Sequence, residues 1–385
     1  MLPLWVLGVG VVGALASYVL VGLVARYGQQ LALLDLPRDG EVQRRAVPRS
    51  GGYAMLVGLW LAVGFAFLGR PGNTAASPGD DWKLLGVMLG SIAIVPLAIL
   101  DDRRRLGPLP QFVGQLTIAS IPVAFGLRMG SLASPFGFSV ELPIWVDVLF
   151  TIVWIVGMIN AINWIDVMDG LAAGIATMAA VVLFTRSLWF EQYTIAVLPL
   201  ALAGATLGFL PRNFHPARIF MGTSGSILLG YWLATTSVIG GAKVGTAFVV
   251  LGVPILDTAW VIVRRLQAGR SPFKGGDAEH LPHRIHALGL SQVQTVLVLY
   301  LICALFGFLS LTLHSPAEGP TLAKLFLLLG MVSVVALVLG TVTILGARRN
   351  KDADRGSSPG IMKPGGQVGD LPWQSPRSGS PSKSS

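Results

Sequence analysis

Two adjacent carboxylates, Asp101 and Asp102, close one apolar run of the chain, and the segment NAINWIDVMDG closes another. That segment sets Asn160, Asn163, Asp166 and Asp169 at intervals of three, a spacing that lets all four line one helical face. Oxygen donors gathered near a bilayer surface suit a hard divalent cation. Four of the five histidines, His215, His280, His283 and His286, fall in loops. Taken alone, His215 and His286 read as ordinary solvated residues. The stretch carrying Arg264, Arg265, Arg270, Lys274, His280, His283 and Arg284 is different, because so many donors together can clamp phosphate oxygens. A cation beside such a clamp is equipment for phosphoryl or phosphoglycosyl transfer, with the metal offsetting charge during the displacement.

The elements that position these groups are membrane helices. The chain has 385 residues, 53% hydrophobic and 12% charged, about half the charge of a soluble domain. Its mean hydropathy is +0.69. Apolar runs lie near 3–24, 51–69, 84–100, 112–130, 144–162, 170–186, 194–210, 226–240, 244–263, 293–313 and 321–346. Nearly all have the roughly 17–25 residues that cross a bilayer, and in lipid each satisfies its own backbone only as a helix. The expected fold class is all-α: a polytopic bundle of about ten to eleven spans. Residues 1–346 form the transmembrane domain. Residues 347–385, rich in Gly, Pro, Ser and Lys, read as a disordered tail. Met1–Trp5 lacks the basic start of a cleavable signal, so the first helix is expected to be retained. The lone Cys303 excludes an intramolecular disulfide.

Charge distribution gives the orientation. Segments 25–50, 101–111, 211–220, 264–292 and 347–385 hold 22 of the 28 Lys and Arg residues. Positive charge marks the cytoplasmic side, so these segments, the acidic clusters and the tail are expected there, with the N-terminus outside. The net charge of +9 is therefore a membrane signal, and nucleic acid is not an expected partner. Mid-span positions are mostly Leu, Val, Ala and Gly, and no internal repeat is evident, which argues against a permeation path. Glycines in the spans read as close-packing positions, and Trp60, Trp154 and Trp232 as packing or interface residues.

The loops also resemble a known family. VPRSGG at 47–52, LDD at 100–102 and NAINWIDVMDGLA at 160–172 are similar, in order, to segments of the polyprenyl-phosphate N-acetylhexosamine-1-phosphate transferases. GFLPRNFHPARIFMG at 208–222, GSILLG at 225–230, VPILDTAWVIVRRLQAGRSPF at 253–273 and EHLPHRIHALGLS at 279–291 continue the match. The GRSPF and EHLPHR loop is more similar to the N-acetylglucosamine branch than to the muramoyl-pentapeptide branch. The resemblance implies attack of a polyprenyl phosphate on the β-phosphate of a UDP-sugar, with Mg2+ (or Mn2+) as cofactor, in the plasma membrane with the active face cytoplasmic. The product would start a lipid-linked envelope polysaccharide. It also makes a homodimer a reasonable expectation.

By position, the resemblance makes Asp101, Asp102, Asp166 and Asp169 catalytic, with Asp101, Asp102 and Asp166 as metal ligands. Asn160, Asn163, Asn213, Phe220, Arg270, His280, His283 and Arg284 would bind substrate, Phe220 against uracil. Several positions depart from the family pattern. Thr223 stands where the family has a metal-binding Asp, and Gln111 where it has Lys. Gly40–Gln43 replace a basic motif, Val167 a glycine, and Pro282 a histidine. The alternative reading is a non-catalytic relative that binds polyprenyl phosphate or a partner enzyme.

Overall fold

A computed structural model describes residues 4–27, 34–35, 47–69, 80–104, 106–133, 139–239, 244–271 and 280–313, with isolated positions at 326, 329, 330 and 333. The expected basic-to-acidic change at Gly40–Gln43, Lys274, most of the span at 321–346 and the tail at 347–385 lie outside the described residues.

The chain runs through α1 (Leu4–Tyr27), α2 (Gly51–Leu68), α3 (Asp80–Arg104), α4 (Pro108–Ala124), α5 (Ile144–Ile165) and α6 (Leu171–Trp189). It continues with α7 (Tyr193–Asn213), α8 (Gly222–Val238), α9 (Val244–Val250), α10 (Gly252–Gln267), α11 (Leu281–His286) and α12 (Gln292–Leu313). Two short antiparallel pairings interrupt the helices: β1 (Leu34–Asp35) with β2 (Val47–Pro48), and β3 (Ser131–Ala133) with β4 (Ser139–Glu141). Among the described residues seven helices are long and apolar enough to cross a membrane, or eight if the bent pair α9–α10 counts as one span. α4 and α8, at 17 residues each, also coincide with expected spans.

The expected straight span at 244–263 is instead broken, with α10 bent from α9 by 75°. Pro254 accounts for the break. It has no N–H to donate, and its ring would collide with the carbonyl four residues earlier, at Val250, so α9 ends there. The same ring is tolerated in the first turn of α10.

Helix α8 is the axis of the bundle. Every residue in it except Thr223 is buried, against α2, α3, α5, α6, α7 and α9. Its inward hydroxyls are satisfied locally, as in Thr235 to the Tyr231 carbonyl at 2.9 Å and Ser237 to that of Ala234 at 2.7 Å. Tyr231 donates to the Val87 carbonyl of α3, and Trp154 of α5 donates to Ser237. Trp60 and Trp154 thus lock helix pairs through their ring N–H, while Trp232 is fully buried. The outer helices turn large apolar side chains outward, including Leu7, Val11 and Leu15 of α1 and Leu301, Leu305 and Phe308 of α12. In water such surface would aggregate; in a bilayer it is the lipid-facing surface. Glycines bring backbones together as expected: a Cβ at Gly204 or Gly208 of α7 would collide with the Gly10 or Ala14 carbonyl of α1.

Candidate active site at one end of the bundle

The polar segments meet at a single end of the helices. The β2 strand and the start of α2 pair with the strand-like stretch before α8. Phe220 N donates to the Pro48 carbonyl at 2.8 Å, and Gly51 N and Gly52 N donate to those of Phe220 and Met221, both at 3.0 Å. Glycine is required on both sides of this contact. Gly222 has φ +66° with the Arg49 carbonyl against it, and a Cβ at Gly52 would meet the backbone of Gly225. The result places Arg49, Tyr53 and Thr223 together over the C-terminal end of α3.

That end carries the aspartate pair. Asp101 is buried and accepts three hydrogen bonds: Thr223 Oγ1 at 2.6 Å, Gln111 Nε2 at 2.7 Å and Leu106 N at 3.0 Å. Asp102 is half-buried and accepts from the Tyr53 hydroxyl at 2.8 Å. The positive field of Arg49 falls on Asp102 and also on Asp166.

Asp166 caps the C-terminal end of α5. A carboxylate there faces the negative end of the helix dipole, a costly position. Among the described residues it accepts no hydrogen bond, and burial pushes its carboxyl up to about 7, with the Asp169 charge adding to the rise and Arg49 opposing it. Asp169 is tied down, with His215 Nδ1 at 2.8 Å and Ala217 N at 3.1 Å on one carboxylate oxygen.

The amides expected to bind substrate are largely engaged with protein. Asn160 donates to the Gln115 side chain at 2.6 Å and to the Val156 carbonyl at 2.8 Å. Asn163 accepts from Ser226 of α8 at 2.7 Å. Buried Asn213 accepts from Gly170 N and donates to the Ile219 carbonyl, both at 3.1 Å, clamping the Asp169 turn to the loop before α8. Phe220 contributes its backbone to the β2 contact, and its side chain is half-buried.

A second cluster lies beside these carboxylates. The bend at Leu251 lays down α10 with Asp257, Val261 and Arg265 buried on one face. Asp257, 1% exposed, takes His280 Nδ1 at 2.8 Å and Leu281 N at 2.7 Å. The His280 ring meets the edge of Trp164 on α5, and buried Arg265 lies over the Trp164 ring at 5.3 Å. Arg284 lies over Trp260 at 5.8 Å, and Arg270 is exposed. Burial lowers the pKa of His283, helped by the positive fields of His280 and His286 and opposed by Asp257.

Sequence reasoning did not assign roles to Asp257, Arg49, Tyr53 or Trp164, and it counted Arg265 only among the phosphate-clamping donors. Asp257 carried a readable signal, since a lone carboxylate inside an apolar run is a functional candidate by default.

Among the described residues no three His, Cys, Asp or Glu side chains form a ready metal cage. The expected trio of Asp101, Asp102 and Asp166 is not assembled as one, because Asp101 faces Thr223 and Gln111. What remains suits Mg2+ in its usual protein setting, one or two carboxylates completed by substrate phosphates and water. Asp166, lacking a hydrogen-bond donor, and Asp102 are the oxygens that fit.

Fold and site together define a polytopic membrane protein with a carboxylate and basic cluster gathered at one end of its helices. Residues 84–241 match the model of glycosyl transferase family 4. A probable undecaprenyl-phosphate N-acetylglucosaminyl 1-phosphate transferase of Bacillus subtilis (strain 168) is 34% identical over 338 residues, 86% of this chain and 91% of the relative. A decaprenyl-phosphate N-acetylglucosaminephosphotransferase of Mycobacterium leprae (strain TN) is 35% identical over 360 residues, covering 86% and 90%. An undecaprenyl-phosphate alpha-N-acetylglucosaminyl 1-phosphate transferase of Thermotoga maritima is 29% identical over 300 residues, covering 78% and 88%. The chain belongs to this family of membrane-bound polyprenyl-phosphate N-acetylglucosamine-1-phosphate transferases.

Proposed function

We propose that the protein transfers N-acetylglucosamine 1-phosphate from UDP-N-acetylglucosamine to a polyprenyl phosphate at the cytoplasmic face of the plasma membrane, opening the assembly of an envelope polysaccharide. The observations that carry the reading are that the Arg49 charge acts on both Asp102 and Asp166 and that the His280 ring meets Trp164, two residues before Asp166, in a chain 34% identical over 338 residues to a transferase of that name. The excess of Lys and Arg in the segments at that end supports the cytoplasmic assignment.

In the proposed step an oxygen of the lipid phosphate bonds to the β-phosphorus of the nucleotide sugar. The bond from that phosphorus to the bridging oxygen breaks, and UMP leaves with the electron pair. Asp102 and Asp166 would hold Mg2+, which would supply charge neutralisation for the diphosphate. Arg49 sits where it offsets the charge of the two carboxylates and of an incoming phosphate. His280, fixed through Nδ1 by Asp257, presents its other ring nitrogen to the site, and Arg284 adds a fixed positive charge.

Thr223 in place of a carboxylate favours one second reading, a relative that binds the lipid phosphate without turnover. The discriminating assay is UMP release by detergent-purified protein from UDP-N-acetylglucosamine and undecaprenyl phosphate, with Mg2+ or with EDTA. Metal-dependent release supports the transferase. Absence of release with several UDP-sugars, in folded protein that still binds the lipid, selects the second reading.

A further inference from the structure

Asp101 and Asp102 are neighbours in the chain yet have different surroundings. Both oxygens of Asp101 are occupied, Oδ2 by Thr223 Oγ1 at 2.6 Å and Oδ1 by Gln111 Nε2 at 2.7 Å and Leu106 N at 3.0 Å. Asp101 is 8% exposed, and all three donors are uncharged. A buried carboxylate persists only when hydrogen bonds replace its hydration, and these three come from α8, from α4 and from the turn after α3. Asp102 instead has one hydroxyl donor, Tyr53, and lies in the field of Arg49.

We propose that Asp101 is a positioning residue, locked by the neutral donors Thr223 and Gln111, and that the lock ties α3, α4 and α8 into the frame that aims Asp102 at the reacting phosphates. The inference rests on the transferase reading for its catalytic consequence, but the lock itself is a property of the fold. Its electrostatics fix an order of effects. A carboxylate at position 223 would stand within hydrogen-bond distance of Asp101 with no cationic side chain among the described donors of the lock, so adding the acid makes the site worse. A lysine at position 111 would supply that cation. The two positions are therefore coupled in sign.

The test uses the purified full-length chain and four variants, Thr223→Ser, Thr223→Val, Thr223→Asp and Thr223→Asp with Gln111→Lys. UMP release gives kcat and KM, and thermal unfolding is followed in the same detergent. Thr223→Ser keeps the hydroxyl and is expected within about twofold of the parent. Thr223→Val keeps the shape and loses the donor; a hydrogen bond to a charged group corresponds to roughly tenfold to a hundredfold, expected in kcat with KM for UDP-N-acetylglucosamine little moved. Thr223→Asp is expected to lose activity and melt lower, and the added Gln111→Lys to recover both. If Thr223→Asp alone raises activity, or Thr223→Val matches the parent in both readouts, the lock is refuted. If the parent releases no UMP at all, the transferase reading fails. The order of melting temperatures then decides the lock by itself.

Discussion

His280 Nδ1, at the start of α11, lies 2.8 Å from Asp257 Oδ2 on α10, the helix bent by 75° from α9, and both side chains are buried. The pairing fixes which imidazole nitrogen carries the proton toward Asp257 and leaves the other for the site. Asp257→Asn keeps the size but presents an amide that can hold the opposite tautomer. We expect kcat to fall about tenfold to a hundredfold, with a shifted pH profile and little loss of fold, because the backbone bond from Leu281 N survives. An unshifted profile with unchanged kcat would show that His280 takes no part.

Asp166 predicts a pH dependence with a definite sign. Its carboxyl is raised to about 7 by burial, against about 4 in an unfolded chain. Between those values the native state holds a proton that the unfolded state has released, so this group's contribution to stability declines as pH rises from about 4 to 7 and its penalty is complete above 7. Asp166→Asn removes the penalty. In metal-free protein the variant should melt higher than the parent at pH 8, by on the order of a few degrees, with the gap closing toward pH 5. A gap that widens on acidification would contradict the assignment.

Tyr53→Phe removes the single hydroxyl donor to Asp102 and nothing else of the ring. A charge-assisted bond of this kind contributes about 1.5–3 kcal/mol, so kcat/KM is expected to drop by roughly tenfold or more. Steady-state kinetics of the variant beside the parent measures it directly, and full activity would remove Tyr53 from the site.

Two glycines of one helix should respond oppositely to alanine. Gly64 has open space around its Cβ position, and Gly52 faces the backbone of Gly225 and the Ser224 hydroxyl. Gly64→Ala is expected to be neutral or to stabilise by up to about 1 kcal/mol through helix propensity. Gly52→Ala must push α2 off α8, displacing Arg49 and Tyr53, and should lower both melting temperature and activity. Thermal unfolding of the two variants side by side checks the close approach that builds the site.

Local pattern made much of this protein legible. Apolar run length locates ten of the helical segments, and the grouping of charges in alternate loops puts Asp101, Asp166, Asp169, His215 and His280 at one end. The break in α9–α10 was missed because run length cannot see a bend; Pro254 was the available sign. Partnerships were the other gap. Thr223 and Asp101 are 122 residues apart, and Asn160 and Gln115 are 45 apart, so no spacing rule joins them. The family resemblance nominated Asp101 as a metal ligand, whereas its three neutral donors are visible only with α3, α4 and α8 packed. The same packing gave Arg49 its place between Asp102 and Asp166, which the motif around it did not announce.

The most direct test of the central claim is identification of the lipid product. Purified protein is incubated with UDP-N-acetylglucosamine, undecaprenyl phosphate and Mg2+, and the lipid fraction is analysed by mass spectrometry alongside Asp102→Asn. Undecaprenyl-diphosphate-N-acetylglucosamine, with UMP in equal amount, is expected from the parent and neither from the variant. Undecaprenyl phosphate recovered unchanged from active-folded parent, or the same product yield from Asp102→Asn, would contradict that claim.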